Sequence, residues 1–262
     1  MLTAQELDRV CVVLVRARNP NNIGAVARAM YDFGFSRLRV VNEFAVPFGA
    51  AKSAVDASEV LADAMDYANV AEAVGDCTLV VGTTAVGERD LQHELLPLTE
   101  AAPRLLAEVR RSGNAGRVAL LFGSEKTGLS NEELSHCNWL LTIPMWEHVE
   151  VRHPSMNLGQ AVAVCLYELV RQDASEPSKD AEEASGPGTN PATAAELERL
   201  TALLSEVLEE TGYTRHHPAN SDIAQLRRLV LRMGATAKDA PVWMGILRQV
   251  LWKLRRLDKP TE

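Results

Sequence analysis

The sequence predicts an α/β fold in which a parallel sheet is sandwiched between helices. Three observations lead there. Strand-length runs rich in Val, Leu and Ile recur between residues 10 and 170, and they are apolar at consecutive positions, as in strands covered on both faces. Helical patterns stand between the runs, as parallel crossovers require.

The runs are "VCVVLV" (10–15), "RLRVVN" (37–42), "CTLVVGTT" (77–84), "RVALLFG" (117–123) and "NWLLTIP" (138–144), each closed by Gly, Pro, Asn or Thr. Between the first two lies "RNPNNIGAVARAM". Ile23, Val26, Ala27 and Met30 in it form one stripe that predicts a sheet-facing helix. At 100° per residue, Arg28 falls nearly opposite that stripe, beside Gly24 and Ala25. It reads either as part of a solvated face or as a polar group beside which small residues let a ligand backbone approach. Ser130 with Glu133 fits a capping box opening the helix "NEELSHC". Ala161, Val162, Cys165, Leu166 and Leu169 mark a helix from Leu158 to Val170.

Residues 171–193 lose the apolar pattern and gather Pro, Gly, Ser and acids, so they read as a linker between a domain at 1–170 and a helical extension at 194–262. The extension carries three helical patterns. The first, apolar at Leu197, Leu200, Leu204 and Leu208, stops at Gly212. So small a module needs to pack on the first domain or on a second subunit to bury its apolar faces.

Composition narrows the function. With 47% hydrophobic residues and no apolar run near the roughly 20 residues that span a bilayer, the chain reads as globular and cytoplasmic. The four cysteines are scattered without a C-x-x-C pair, so neither a zinc knuckle nor a redox dithiol is expected, and no metal is called for. The formal net charge of −8 argues against a nucleic-acid partner, yet residues 191–262 hold 11 basic against 9 acidic residues. Their clusters "QLRRLVLR" and "WKLRRLDK" fit either a basic stripe, with Arg227 and Arg228 as RNA contacts, or a solvated helix face.

Several chemistries lack their signatures. There is no G-x-G-x-x-G after a strand and no H-E-x-x-H, and "GSEKTGLS" has Leu129 where a P-loop lysine would stand. No G-x-S-x-G elbow supports a hydrolase. What remains is a set of polar, Gly-containing turns at the ends of the first, third, fourth and fifth strands, where open α/β sheets bind ligands. Singly each is ordinary turn chemistry; together they mark one rim.

"NPNNIGAVARAM", "LLFGSEKTGLSNEEL" and "IPM…PSMNLGQAVAVCLYEL" resemble the three successive motifs of the SpoU/TrmH-type RNA 2′-O-methyltransferases of the SPOUT superfamily. The tail resembles the C-terminal helical extension of those members that methylate the anticodon loop of tRNA. The resemblance implies a C-terminal deep trefoil knot, a homodimer, tRNA as partner with nucleotide 32 as target, and S-adenosyl-L-methionine as cofactor. Ribosomal RNA is the alternative substrate, and a non-catalytic knotted RNA-binding protein the alternative class.

Carried over residue by residue, the resemblance puts Thr83, Thr84, Ala85, Gly123, Ile143, Ser155, Met156 and Leu158 around the cofactor. Asn22, Arg28, Glu125, Ser155 and Asn157 fall at the substrate ribose, and Arg28, Arg89 and Lys126 on RNA. Arginine, with a pKa above about 12, is a poor general base, so Arg28 is expected to orient the hydroxyl and a phosphate and to stabilise developing negative charge. Three departures stand out. Ser124 replaces a frequent arginine, whose contact falls to Lys126 or Arg152, and "WEHVEVRHP" is longer than usual, which loosens the alignment at His153 and Pro154. Arg16 stands where relatives usually have glutamate, and no role is assigned to it.

Overall fold

A computed structural model describes residues 2–42, 57–85, 91–111, 116–146, 156–173 and 190–257. The α/β part runs α1 (Ala4–Leu7), β1 (Val10–Val15), α2 (Pro20–Asp32), β2 (Arg37–Val41), α3 (Ser58–Ala62), β3 (Met65–Tyr67), α4 (Val70–Ala73) and β4 (Leu79–Thr83). It continues with β5 (Leu95–Pro97), α5 (Leu98–Val109), β6 (Val118–Phe122), α6 (Asn131–Leu134), β7 (Trp139–Thr142) and α7 (Leu158–Asp173). The tail holds α8 (Ala194–Glu210), α9 (Tyr213–His216), α10 (Ile223–Arg232) and α11 (Asp239–Leu257).

All seven described strands pair in parallel, in the order β3-β2-β1-β6-β4-β7-β5. Every residue of β1 is buried. Val10, Val12 and Leu14 point into the core shared with α2, α5 and α7, whereas Cys11, Val13 and Val15 point into the core under α4 and α6. That two-sided burial is why the strand is apolar at every position.

Five strands fall on the predicted runs, within two residues at either end. The two that periodicity did not reveal, β3 and β5, are three residues long, too short to show a period. Both are edge strands. An edge tolerates Asp66 and Pro97, residues depleted from sheet interiors.

In α2 the predicted stripe holds: Ile23, Val26, Ala27 and Met30 have no exposed surface. The small-residue side corrects the sequence reading. It faces a helix rather than a ligand, because a Cβ on Gly159 at the start of α7 would sit 2.7 Å from the Ala25 Cβ. Eight residues further along each helix, the Phe33 and Tyr167 rings meet with centroids 6.2 Å apart. The equal spacing of these two contacts shows that α2 and α7 run parallel, in register. Gly24 is buried as well.

The tail is bound to the domain through helix α8. Thr193 and Glu196 form a capping box, which settles the Thr193 and Glu196 amides. The remaining first-turn amides of Ala194 and Ala195 donate to the carbonyls of Cys77 (2.8 Å) and Gly75 (3.0 Å) in the α4–β4 connection. Donors that a helix start leaves over are thus used to dock it. A small core including Leu197, Leu200, Val230 and Met244 closes the module. The 171–193 linker is narrower than the sequence suggests. Residues 171–173 complete α7 and Ala192 is buried, while 174–189 lie outside the described residues.

Arg227, expected on RNA, is corrected by its surroundings. It is buried, its guanidinium forks onto Glu198 (2.7 and 2.9 Å), and Nη1 donates to the Ser135 hydroxyl (2.6 Å). Its side chain pins α10 and α8 to the α6–β7 turn and has nothing left for a phosphate. Arg227→Ala leaves the Glu198 carboxylate, about a third exposed, without its partner. The expected cost is about 2–3 kcal/mol, read by urea unfolding, with the loss appearing in a transition of the tail. A midpoint equal to wild type would contradict the pin.

Candidate active site

In the sheet order, β1 is flanked by β2 on one side and β6 on the other, so the chain reverses direction of growth between β1 and β6. Open α/β sheets bind ligands outside the carboxyl ends of strands at such a point. The predicted loops after β1 and β6 therefore open onto the crevice where a ligand is expected.

Three predicted ribose-site residues meet across it. The amide of Asn22, in the first turn of α2, donates to Glu125 Oε1 at 2.7 Å, and the Asn157 amide donates to Asn22 Oδ1 at 3.3 Å. Asn157 Oδ1 in turn accepts from the Gly159 amide at 3.0 Å, so the residue caps α7 while reaching into the site. Residues more than 100 positions apart thus form one hydrogen-bonded chain. Glu125 and Asn157 are exposed, and Asn22 half-buried.

Arg28 is placed apart from that chain. It lies six residues beyond Asn22, about 9 Å along the helix axis. Its Nε donates to Asp32 Oδ1 at 3.0 Å, an i,i+4 pair on the outer side of α2. The expected opposition to the core stripe is observed, with the side chain 41% exposed.

The loop that carries Glu125 is held from below by Arg16. Arg16 Nε donates to Glu133 Oε1 (2.6 Å), Nη2 to Glu133 Oε2 (2.9 Å) and to the Gly128 carbonyl (2.9 Å). Glu133 also accepts from the Ser130 amide at 2.6 Å, so the predicted capping box and the Arg16 fork share one carboxylate. Burial raises the Glu133 pKa, but the bonds from Arg16 and the Ser130 amide outweigh it and hold the carboxyl below its usual range. Arg16 is the one non-glycine residue with positive φ among those described, at 58°. That backbone strain persists because the fork and the Arg16 amide bond to Val41 (2.8 Å) fix both ends of the residue.

The held loop folds back on its own base. The Gly128 amide donates to the Ser124 carbonyl at 2.8 Å, and a Cβ on Gly123 would lie 2.2 Å from the Gly128 carbonyl carbon. Gly123 is therefore required sterically, whatever else it contacts. Ser124, at the position where arginine is frequent, bonds to the Thr127 hydroxyl at 2.8 Å and helps close the turn. Lys126 is exposed at the tip.

The expected cofactor residues flank the same crevice. Thr83 Oγ1 donates to the Leu121 carbonyl (2.9 Å) and the Thr84 amide to that of Leu141 (3.0 Å), stitching the end of β4 to both neighbours. Ile143 and Met156 are half-buried, Leu158 is buried and Ala85 is exposed. With Gly123 these give a rim of backbone groups and apolar side chains without a charge, a donor set that fits an uncharged adenosine. Ser155, Arg89, Arg152, His153 and Pro154 lie outside the described residues. Among the described residues, no group of three or more His, Cys, Asp or Glu could hold a metal ion.

Comparison with known proteins follows this geometry. The chain matches the SpoU rRNA Methylase family over residues 9–167. It is 33% identical over 259 residues to the tRNA (cytidine/uridine-2′-O-)-methyltransferase TrmJ of Yersinia enterocolitica, covering 97% of this chain and 94% of that protein. Against the TrmJ of Pectobacterium atrosepticum identity is 34% over 250 residues, covering 93% and 97%. Among solved structures, TrmJ from Z. mobilis ZM4 superposes with TM-score 0.75 at 29% identity, covering 92% of this chain and 98% of that one. A putative methylase family protein from Neisseria gonorrhoeae superposes with TM-score 0.60 at 31% identity, covering 72% and 91%.

Because the folded-state pKa of Glu133 is depressed, the fork contributes fully above the unfolded carboxylate pKa of about 4.3 and loses its contribution as pH falls through the lower folded value. Arg16→Gln should therefore cost about 1–2 kcal/mol in urea unfolding at neutral pH, and much less at pH values below that range. A cost independent of pH would show that the ion pair is not what holds the loop.

Proposed function

Because the chain belongs to the SpoU methylase family, we propose that it is a cytoplasmic tRNA 2′-O-ribose methyltransferase that uses S-adenosyl-L-methionine and acts at nucleotide 32 of the anticodon loop. The observation that carries the reading is the Asn157–Asn22–Glu125 chain at the β1/β6 crevice. The similarity to TrmJ along the whole chain, tail included, favours tRNA over ribosomal RNA. We read the stretch from β6 to α7 as the trefoil-knotted part of the fold.

When bound, S-adenosylmethionine supplies an electrophilic methyl group on a positively charged sulfur. Its adenosine is held at the rim of Thr83, Thr84, Ala85, Gly123, Ile143, Met156 and Leu158, with Ser155 beside them. Asn22 and Asn157 orient the ribose by their amides. Glu125 Oε1 is occupied by Asn22, which leaves Oε2 to accept the hydrogen of the 2′-hydroxyl. Such alignment is worth about 7–11 kcal/mol in well-oriented reactions. The 2′-oxygen bonds to the methyl carbon as the carbon–sulfur bond breaks, and the proton passes to the adjacent phosphate or to water. Arg28 serves as a phosphate and charge-stabilising group rather than a base.

The distance between Arg28 and the Asn22 chain along one helix leads to the homodimer. A second subunit brings its own Arg28 face to the site, so that each site draws on two chains. Exposed Tyr31 and Tyr167, on α2 and on α7, supply apolar surface for that face.

Incubation with methyl-labelled S-adenosylmethionine and unmodified tRNA, followed by nuclease mapping, should place label on the 2′-oxygen of nucleotide 32. Asn22→Ala should lower the single-turnover rate about 100-fold. Label in ribosomal RNA alone would move the substrate, and label in neither would remove the function. For the shared site, Arg28→Ala and Glu125→Ala subunits, each inactive alone, should recover roughly one quarter of wild-type activity when mixed equally, since half the dimers then hold one intact site. No recovery would place Arg28 and Glu125 in the same subunit's site.

A further inference from the structure

The tail and the α/β domain enclose a groove of about 750 Å³ on the side of α10 away from its small core. Gln225, Arg228, Leu229 and Arg232 line it at i, i+3, i+4 and i+7, one stripe of α10. Leu204 and Leu208 of α8 form the apolar floor, Tyr213 stands at one edge, and the domain contributes Gln92 and Asn131. No carboxylate lines it among the described residues.

Its electrostatics are unusual for this chain. Most described arginines are committed to a carboxylate or a carbonyl, Arg16, Arg37, Arg39, Arg104, Arg117 and Arg227 among them. Arg228 and Arg232 have no hydrogen bond or ion pair among the described residues, although they are like charges four apart on one helix, an arrangement that destabilises it. Close by, His93 has a buried Nε2 without a hydrogen-bond partner among the described residues. Burial and the charges of Arg228 and Arg232 push its pKa down. In a protein of net charge −8, a groove with two uncompensated guanidinium groups and an orphan imidazole nitrogen is suited to an anion.

The anion's other half is indicated by the walls. A half-exposed tyrosine ring, an apolar floor and several carboxamides match a nucleobase, which stacks on an aromatic face and is read along its edge by amides. Tyr213 is held for that role, because its hydroxyl accepts from the Asn220 amide at 2.9 Å and its ring lies 4.6 Å from that of His217. Asn131 follows Glu125 by six residues and Gln92 follows Ala85 by seven, so both walls continue from the loops of the active site.

We propose that this groove binds one unstacked nucleotide of the substrate RNA, distinct from the nucleotide that is methylated, with its phosphate on Arg228 and Arg232 and its base against Tyr213 and the leucine floor. The proposal rests on RNA being the substrate. It assigns Arg232, Gln92 and Tyr213 a role beside the anticipated one of Arg228.

The test uses the full-length protein and a fluorescent, unmodified tRNA transcript titrated across a salt series. Arg228→Gln with Arg232→Gln should weaken binding tenfold or more and reduce the slope of log affinity against log salt by about 2. Gln225→Trp, which fills the groove without changing charge, should weaken binding at an unchanged slope. Arg232→Lys should keep the wild-type slope and serve as the folded control. At saturating RNA all variants should transfer methyl groups within twofold of the wild-type rate, since the groove binds and does not react. Wild-type affinity and slope in both groove variants would overturn the proposal, as would a change in sedimentation with RNA affinity intact, which assigns the groove to a second copy of the chain. If the wild type methylates no RNA yet the variants still lose RNA affinity, the groove stands and the catalytic reading falls.

Discussion

The fork between Arg16 and Glu133 is the interaction on which the site depends. It joins the carboxyl end of the central strand β1 to the capping box of α6, and through the Gly128 carbonyl it sets the loop between them. With that loop in place, Glu125 reaches Asn22, and Asn22 reaches Asn157. Exposed ion pairs contribute little, but this one is partly buried, bidentate and shared with a backbone amide. It resists rearrangement because releasing either partner strands the other at the base of the site.

Similar logic recurs where the tail meets the domain. The first-turn donors of α8 are used on Cys77 and Gly75, and the buried Arg227 bonds Glu198 of one module and Ser135 of the other. Arg39, 1% exposed in the core, bonds Asp76 and the Ala73 carbonyl, tying β2 to the same α4–β4 connection. Burial pushes the Asp76 carboxyl up, yet Arg39 and Arg117 together hold it far below its usual range. Charged pairs therefore fasten the joints between elements, while apolar contacts fill the layers.

Most of this architecture was legible in the sequence, because burial on both sheet faces writes itself into consecutive apolar residues and a helix stripe into its period. The residues of the polar chain were legible as well, through a resemblance of motifs rather than through any local pattern. What was not legible depended on partners distant in sequence. Gly24 and Ala25 looked like room for a ligand until Gly159 was seen against Ala25. Arg227 looked like a phosphate contact until Glu198 and Ser135 were seen around it. Arg16 carried no readable role because its partner lies 117 residues away, although its departure from the usual glutamate was the one available signal. Arg232 was passed over for a related reason, since only the folded tail sets it beside Arg228 on the groove.

A double-mutant cycle between Arg16 and Glu133, read in the single-turnover rate of RNA methyl transfer, tests the account most directly. If the fork positions Glu125, then Arg16→Gln, Glu133→Gln and the double variant should all lose rate by a similar factor, giving a coupling of at least about 1.4 kcal/mol, or tenfold. Independent, multiplicative losses would contradict the account, because they would mean that the two residues do not act on the site through each other.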